Sequence, residues 1–261
     1  MYTVSALWNS LMANPKHIFD YRVVIGEAGR LITRYGDVIT FGGSAILTGQ
    51  SGADGGYSDS MLRSILIQYR AFSEDHPGVG ACLAAELDLE MMRPAGTIPR
   101  MALVRPYVRV VVPEVNQSEW IPQGVFFIDT REYSRNDDGL NIMTIHCYDK
   151  MLMTEQDYPD VDHEWPCIDI DVVREIADEI GVEVDPRTVS LMTRQYLISA
   201  PIGYSMREVL CNIAAMYGGN FVMNYDGELL LVPIYSMPAE TNYLVNNLGY
   251  AITFGGDRIL V

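Results

Sequence analysis

The chain has 261 residues, 49 % hydrophobic and 20 % charged, with 18 Lys and Arg against 34 Asp and Glu, a formal net charge of −16. That composition belongs to a globular protein able to bury a core without a disulfide framework. The excess of acid disfavours nucleic-acid phosphates and anionic membrane surfaces, both of which recruit Lys and Arg.

Near the N-terminus, Leu7, Leu11 and Met12 share one face of a short helix or arm over residues 5–13, and Asn14-Pro15 stops it. Short β-type runs follow at Tyr21–Ile25, Val38–Phe41, Ser64–Tyr69, Ala81–Leu89, Tyr107–Val112, Val125–Tyr133 and Leu140–Tyr148. Gly, Pro and Asn/Asp clusters separate them, and Asn136-Asp-Asp-Gly139 has the chemistry of a tight hairpin turn. Seven such runs predict an antiparallel barrel or sandwich.

After Asp149 the pattern changes. Tyr158–Pro166 has the composition of a polar linker, and Asp169 or Asp171 is expected to cap a helix running to Ile180, with Gly181 as its stop. Ser205-Met-Arg-Glu208 is a capping box opening a second helix, whose apolar stripe is Met206, Val209, Leu210, Ile213, Ala214 and Tyr217. Asp226-Gly227 then turns a hairpin between Phe221–Tyr225 and Glu228–Val232. Two units are expected: an N-terminal arm with a β-barrel over 1–154, and an acidic helical segment, hairpin and start of a second β domain over 155–261.

The charge is uneven. Residues 1–150 hold 13 bases and 17 acids, whereas residues 151–261 hold 5 and 17. Twelve of the acids lie between Glu155 and Asp185, beside one base, Arg174.

One internal echo stands out, Ile39-Thr-Phe-Gly-Gly43 against Ile252-Thr-Phe-Gly-Gly256. It fits either two similar local turns or the first strand of a second barrel near residue 250. In the latter case the chain is a truncated piece or needs a strand from a partner. The N-terminus lacks the pattern of a secretory signal, and no apolar run approaches the ~18 residues of a membrane span. Free thiols in a reducing cytoplasm at synthesis are the simplest expectation for Cys82, Cys147, Cys167 and Cys211.

Catalytic patterns fail in turn. Gly203-Tyr-Ser205-Met-Arg207 lacks the second glycine of a nucleophile elbow, and the capping box already accounts for Ser205. His146 and Cys147, adjacent on a strand, point to opposite faces and do not join His163 and Cys167 around one zinc ion. Asp157, Asp160, Asp162 and Glu164 lack the glycine and bidentate glutamate of a calcium loop. Gly52-Ala-Asp-Gly-Gly56 lacks the lysine and helix of a phosphate loop. No catalytic, cofactor or metal residues are assigned, and no enzymatic activity or cofactor is expected.

An ordered series of motifs does point somewhere. It includes Pro77-Gly-Val-Gly-Ala81, Ser118-Glu-Trp-Ile-Pro-Gln-Gly-Val-Phe-Phe-Ile-Asp129, His146-Cys-Tyr-Asp-Lys-Met151, Ser205-Met-Arg-Glu-Val-Leu210, Gly218-Gly-Asn-Phe221 and Asp226-Gly-Glu-Leu-Leu230. Over roughly residues 20–235 the series resembles tail-tip or baseplate hub proteins of tailed bacteriophages and prophages, related in fold to the hubs of contractile tails and type VI spike bases. The resemblance implies an α+β, mainly β architecture: a tail-tube-like antiparallel β-barrel, a small helical segment and a β-hairpin leading into a second barrel. It also implies a homotrimeric ring around the tail channel. The implied contacts are the distal tail protein, the tape-measure protein and tail fibre or spike proteins.

On this resemblance the protein is a virion component assembled in the host cytoplasm, passed by DNA without specific binding and not inserted in a membrane. An acidic wall over Glu155–Asp185 would repel the passing phosphates. Two other readings stay open: a non-catalytic scaffold half of a tail-associated cell-wall hydrolase, and a carbohydrate-binding β module using Trp8, Trp120 or Trp165.

Overall fold

A computed structural model describes residues 4–26, 57–58, 60–70, 72, 78–94, 98, 101–135, 139–160 and 164–234, with residue pairs at 29–30, 40–41, 44–45, 47–48, 253–254 and 257–258. Its strands are β1 (Ile18–Ile25), β2 (Gly29–Arg30), β3 (Thr40–Phe41), β4 (Ser44–Ala45), β5 (Leu47–Thr48), β6 (Tyr57–Ser58), β7 (Leu62–Gln68), β8 (Cys82–Leu83), β9 (Glu86–Met92) and β10 (Leu103–Val112). These are followed by β11 (Asn116–Gln117), β12 (Ile121–Pro122), β13 (Phe126–Arg135), β14 (Asn141–Tyr148), β15 (Cys167–Ile168), β16 (Leu197–Ile198), β17 (Gly219–Met223), β18 (Leu229–Pro233), β19 (Thr253–Phe254) and β20 (Asp257–Arg258). The helices are α1 (Ala6–Met12), α2 (Asp169–Ile180), α3 (Pro186–Leu191) and α4 (Met206–Met216), with a 3-10 helix over Lys150–Glu155.

Alternation builds the main sheet. In β9, Leu87, Leu89 and Met91 are buried while Asp88 and Glu90 face outward, as the two-residue period of a strand requires. The sheet is antiparallel, in the order β6-β1-β10-β13-β14-β9-β7, with β11 and β12 also paired to β10. β1, β9, β10, β13 and β14 supply buried side chains to a single core containing Val23, Leu87, Val104, Phe126 and Ile145, and Tyr57 of β6 and Ile65 of β7 pack against it.

The fold is mainly β with added helices. Among the described residues, however, the expected barrel is not closed by hydrogen bonds. The two edge strands, β6 and β7, are consecutive in the chain and are joined at a turn where the Met61 N–H donates to the Ser58 carbonyl at 2.9 Å. Chain continuity therefore curls the sheet at that corner. A cleft of about 600 Å³ runs between β1 and β7, lined by Phe19, Tyr21, Leu62, Ile65 and Ile67. β6 pairs with β1 only at Arg22 and Val23, so it is too short to fill this seam.

The run Ala81–Leu89, expected as one strand, is divided. β8 pairs in parallel with β17, whereas β9 pairs with β14. The chain passes from one layer to the other at Ala84-Ala85.

The second unit packs α2 and α4 against β17 and β18. Its core contains Val173, Ile176, Leu210, Ile213 and Phe221 and also recruits Cys82 and Met151 from earlier in the chain. Tyr158 and Trp165, in the segment expected to be a linker, pack against this core, and the Tyr158 hydroxyl donates to Glu175. The capping box forms as expected: the Glu208 N–H donates to Ser205 Oγ at 3.2 Å, and the Ser205 N–H donates to the Glu208 carboxylate at 2.8 Å.

α2 ends at Gly181, whose φ of 68° is the left-handed conformation that glycine adopts without Cβ strain. Its N-cap is Ile168, not an aspartate. Asp169 is instead buried in the first turn, where it accepts the Tyr217 hydroxyl at 2.5 Å. Its other oxygen accepts the Ile170 N–H at 2.8 Å, so the carboxylate makes a tertiary and a local bond at once. No helix among the described residues is long and apolar enough to cross a membrane.

The described residues of the two echoed pentamers pair in the same way. Thr40 pairs with Ala45 and Phe41 with Ser44, just as Thr253 pairs with Arg258 and Phe254 with Asp257. The rest of the expected second barrel lies outside the described residues.

Candidate functional site

The motif residues converge where the two units meet. At the end of β14, the buried Asp149 carboxylate accepts the Ala85 N–H at 2.8 Å and the Met151 N–H at 2.9 Å. Burial pushes its pKa up to about 7 in spite of those two amides. The next residue, Lys150, donates from Nζ to the Ile180 carbonyl at 2.6 Å, placing a cation at the C-terminus of α2 where the helix dipole favours it. From the other unit, Arg207 of the capping-box motif donates to the Met151 carbonyl at 3.2 Å and pairs with Glu155 at 2.6 Å. Residues 149–151 and 207 thus form a polar joint between sheet and helices.

Beside the joint, a cleft of about 610 Å³ lies between Tyr69, Arg70 and Phe72 and the β17–β18 hairpin. Its polar side is one network. Arg187 forks onto both oxygens of the buried Asp185, and Asn224 Nδ2 donates to Asp185 at 2.8 Å and to Glu228 at 2.7 Å. The hydrogen bonds from Arg187 hold the Asp185 carboxyl down at about 2. Tyr69 meets Tyr225 edge to face at 5.4 Å and donates to the Gln123 carbonyl at 2.5 Å, and burial raises its pKa. A permanently ionised pair and a protonated phenol suit a cleft for shape and charge recognition better than one for proton transfer at neutral pH.

The residues weighed for chemistry in the sequence are dispersed. Ser205 is engaged in the capping box, and its Oγ lies 2.9 Å from Glu208. His146 pairs across the strands with Asp88 at 2.6 Å, while Cys147 is fully buried on the opposite face. Cys167 lies with its thiol 3.1 Å from the Glu164 carbonyl. Asp157, Asp160 and Glu164 are exposed, and Asp162, His163 and residues 52–56 lie outside the described residues. Among the described residues no group of three His, Cys, Asp or Glu side chains is arranged to hold a metal.

The tryptophans are also occupied. The Trp120 ring lies 4.7 Å from the Arg22 guanidinium and 4.3 Å from that of Arg109. Trp8 packs on Leu11, Val110 and Val112, and Trp165 stands edge-on to Tyr158. The Asp185–Arg187 fork and the contact between Cys82 and Cys211 had no signature in the sequence. Arg187 lies outside every motif, and the two cysteines meet only through the parallel pairing of β8 with β17.

No family model and no curated protein sequence matches the chain. Among solved structures it is similar to the 43 kDa tail protein of prophage MuSo2 from Shewanella oneidensis, with a TM-score of 0.48 and 11 % identity over 91 % of this chain and 61 % of that one. It is also similar to the tail protein from Neisseria meningitidis MC58, with a TM-score of 0.41 and 11 % identity over 82 % of this chain and 51 % of that one. Both are tail proteins. The chain therefore spans about half to three-fifths of the length of these two structures, and likenesses this loose carry no function across.

Proposed function

We propose that this chain is a structural, non-catalytic component of a phage tail, placed at the tail tip or baseplate hub. In this reading it assembles as a ring, a homotrimer, around the tail channel and links the tube to distal tail, tape-measure and fibre or spike proteins. A curled, barrel-like main sheet supplies the wall, and DNA passes without specific binding.

The observation that carries the reading is the joint. Asp149, Lys150, Met151 and Arg207 belong to two motifs of the tail-hub resemblance more than 50 residues apart, and they meet to fasten one unit to the other. Residues of this kind, spent on backbone carbonyls and amides, are what a load-transmitting building block requires. The outer face of α2 presents Asp178 and Glu179 beside an Arg174–Asp171 ion pair, and turned toward a channel its net negative charge would repel phosphates.

Immunogold electron microscopy of particles encoding this chain tests the proposal. Label at the distal end of the tail is the expected result. Label on the head or along the tube, or particles without label in which the chain stays in the cell lysate, would overturn it.

A further inference from the structure

Four cysteines are free, and two of them meet. Cys82 lies on β8, buried at 5 % exposure, and Cys211 lies on α4, half-buried. Cys82 belongs to the core against which Cys211 packs, and it faces the turn of α4 that carries Cys211. The neighbouring backbone explains the approach: a Cβ built on Gly80, two residues before Cys82, would stand 3.1 Å from the Cys211 carbonyl oxygen and 3.0 Å from Ala215 Cβ. β8 is therefore pressed onto this turn of α4. Cys82 Sγ also lies 3.8 Å from the carbonyl oxygen of Arg207, one helical turn before Cys211.

We propose that Cys82 and Cys211 are a redox pair that closes to a disulfide when the protein meets a peroxide oxidant, stapling β8 to α4. The pair is chemically asymmetric. The Cys82 thiol contact, helped by the Arg207 guanidinium and opposed by burial and by Glu208, draws the Cys211 thiol down to about 7, so a substantial fraction is thiolate at neutral pH. Burial above all keeps Cys82 protonated. Cys211 is also the more accessible of the two.

The chemistry follows in two steps. The Cys211 thiolate attacks hydrogen peroxide: an S–O bond forms, the O–O bond breaks, and the departing hydroxide takes up a proton to leave as water. Cys82 sulfur then attacks the sulfenic sulfur of Cys211: the S–S bond forms, the S–O bond breaks, and the second hydroxide leaves as water with the Cys82 proton. Two thiols are oxidised, one peroxide is reduced, and two waters are released. A protein made in a reducing cytoplasm and then released would keep the pair open at first and close it outside the cell. The inference stands on the close packing of β8 on α4 and does not depend on the tail assignment.

The test uses the full chain, natively folded at neutral pH, exposed to hydrogen peroxide, then blocked with N-ethylmaleimide after denaturation and mapped by mass spectrometry. The expected result is loss of two hydrogens and a peptide linking Cys82 to Cys211, with Cys147 still alkylated. Reductant should reverse it. C211S should leave Cys82 as an alkylatable thiol, and C167S should leave the link unchanged. If Cys82 and Cys211 both remain alkylatable, or Cys211 proceeds to sulfinic acid with Cys82 still free, the proposal is wrong.

Discussion

The Arg207 guanidinium stands 2.6 Å from the Glu155 carboxylate and reaches the Met151 carbonyl at 3.2 Å, so one side chain on α4 holds the 3-10 turn that leaves the main sheet. The two contacts are unequal. Glu155 is more than half exposed, which screens the ion pair, whereas the carbonyl bond is partly buried. Arg207→Ala should cost ~2 kcal/mol, in the range for hydrogen bonds to charged groups, and Glu155→Gln less than ~1 kcal/mol. Urea unfolding of the two variants measures the ratio, and equal losses would refute this division.

Thr188 closes the open edge of β18. Its hydroxyl accepts the Leu231 N–H at 2.8 Å and donates to the Leu229 carbonyl at 3.3 Å, doing for two backbone groups what a further strand would do. Thr188→Val keeps the shape and leaves a buried donor unpaired. The expected loss is ~1–3 kcal/mol, measured as a lower urea midpoint with an unchanged m-value.

Gly124 lies between β12 and β13 at φ +123°, and a Cβ there would stand 2.3 Å from the Tyr69 hydroxyl and 2.6 Å from the Phe126 ring. Gly124→Ala combines backbone strain with displacement of a buried aromatic. It should destabilise by at least ~3 kcal/mol. A thermal midpoint within a degree or two of the parent would contradict it.

Asp185 sets an acid limit. Its folded pKa of about 2 lies below its unfolded value, so its contribution is complete above the unfolded pKa and is lost as pH falls through the folded one. The window runs from roughly pH 4 down to roughly pH 2. Arg187 is half exposed, which limits the gain to ~1–2 kcal/mol. Asp185→Asn should flatten this part of the stability–pH curve, read by chemical denaturation at several acid pH values.

Asp149 acts in the opposite sense. Its folded pKa of about 7 lies above its unfolded value, so the stability it gives is fully present below the unfolded pKa and falls as pH rises from roughly 4 to 7. Asp149→Ala should abolish that decline. It should also lower stability throughout, because the Ala85 and Met151 amides lose their acceptor. A variant that keeps the parent's slope between pH 4 and 7 would show that another group titrates there.

Local signals were the legible part of this chain. The capping box at Ser205 and the glycine stop at Gly181 both emerged as the residues foretold, because each depends on neighbours within a few positions. The Asp226-Gly227 hairpin also formed, although its loop spans residues 224–228 and is held by the Asn224 side chain, which accepts from the Asp226 and Glu228 amides. Asp169 shows where such inference stops. Its local chemistry is that of a cap, but it sits one position inside the helix, where one oxygen accepts the Ile170 amide and the other the hydroxyl of Tyr217, 48 residues away.

The sequence by itself determined a mainly β protein with an acidic helical half, because strand period, turn chemistry and charge are properties of short segments. The tertiary structure alone decided how that acid is used: Asp169 and Asp185 are buried and bonded, Glu155, Asp171 and Glu175 are paired, and Asp178 and Glu179 are left on an outer face. It also decided that Cys82 pairs onto the β17 sheet and packs against the turn of α4 that carries Cys211, and that among the described residues the main sheet has no closed ladder. The physical reason is common to all three. Each depends on which distant segments share a layer, and that is settled by the burial of whole faces, not by any spacing along the chain.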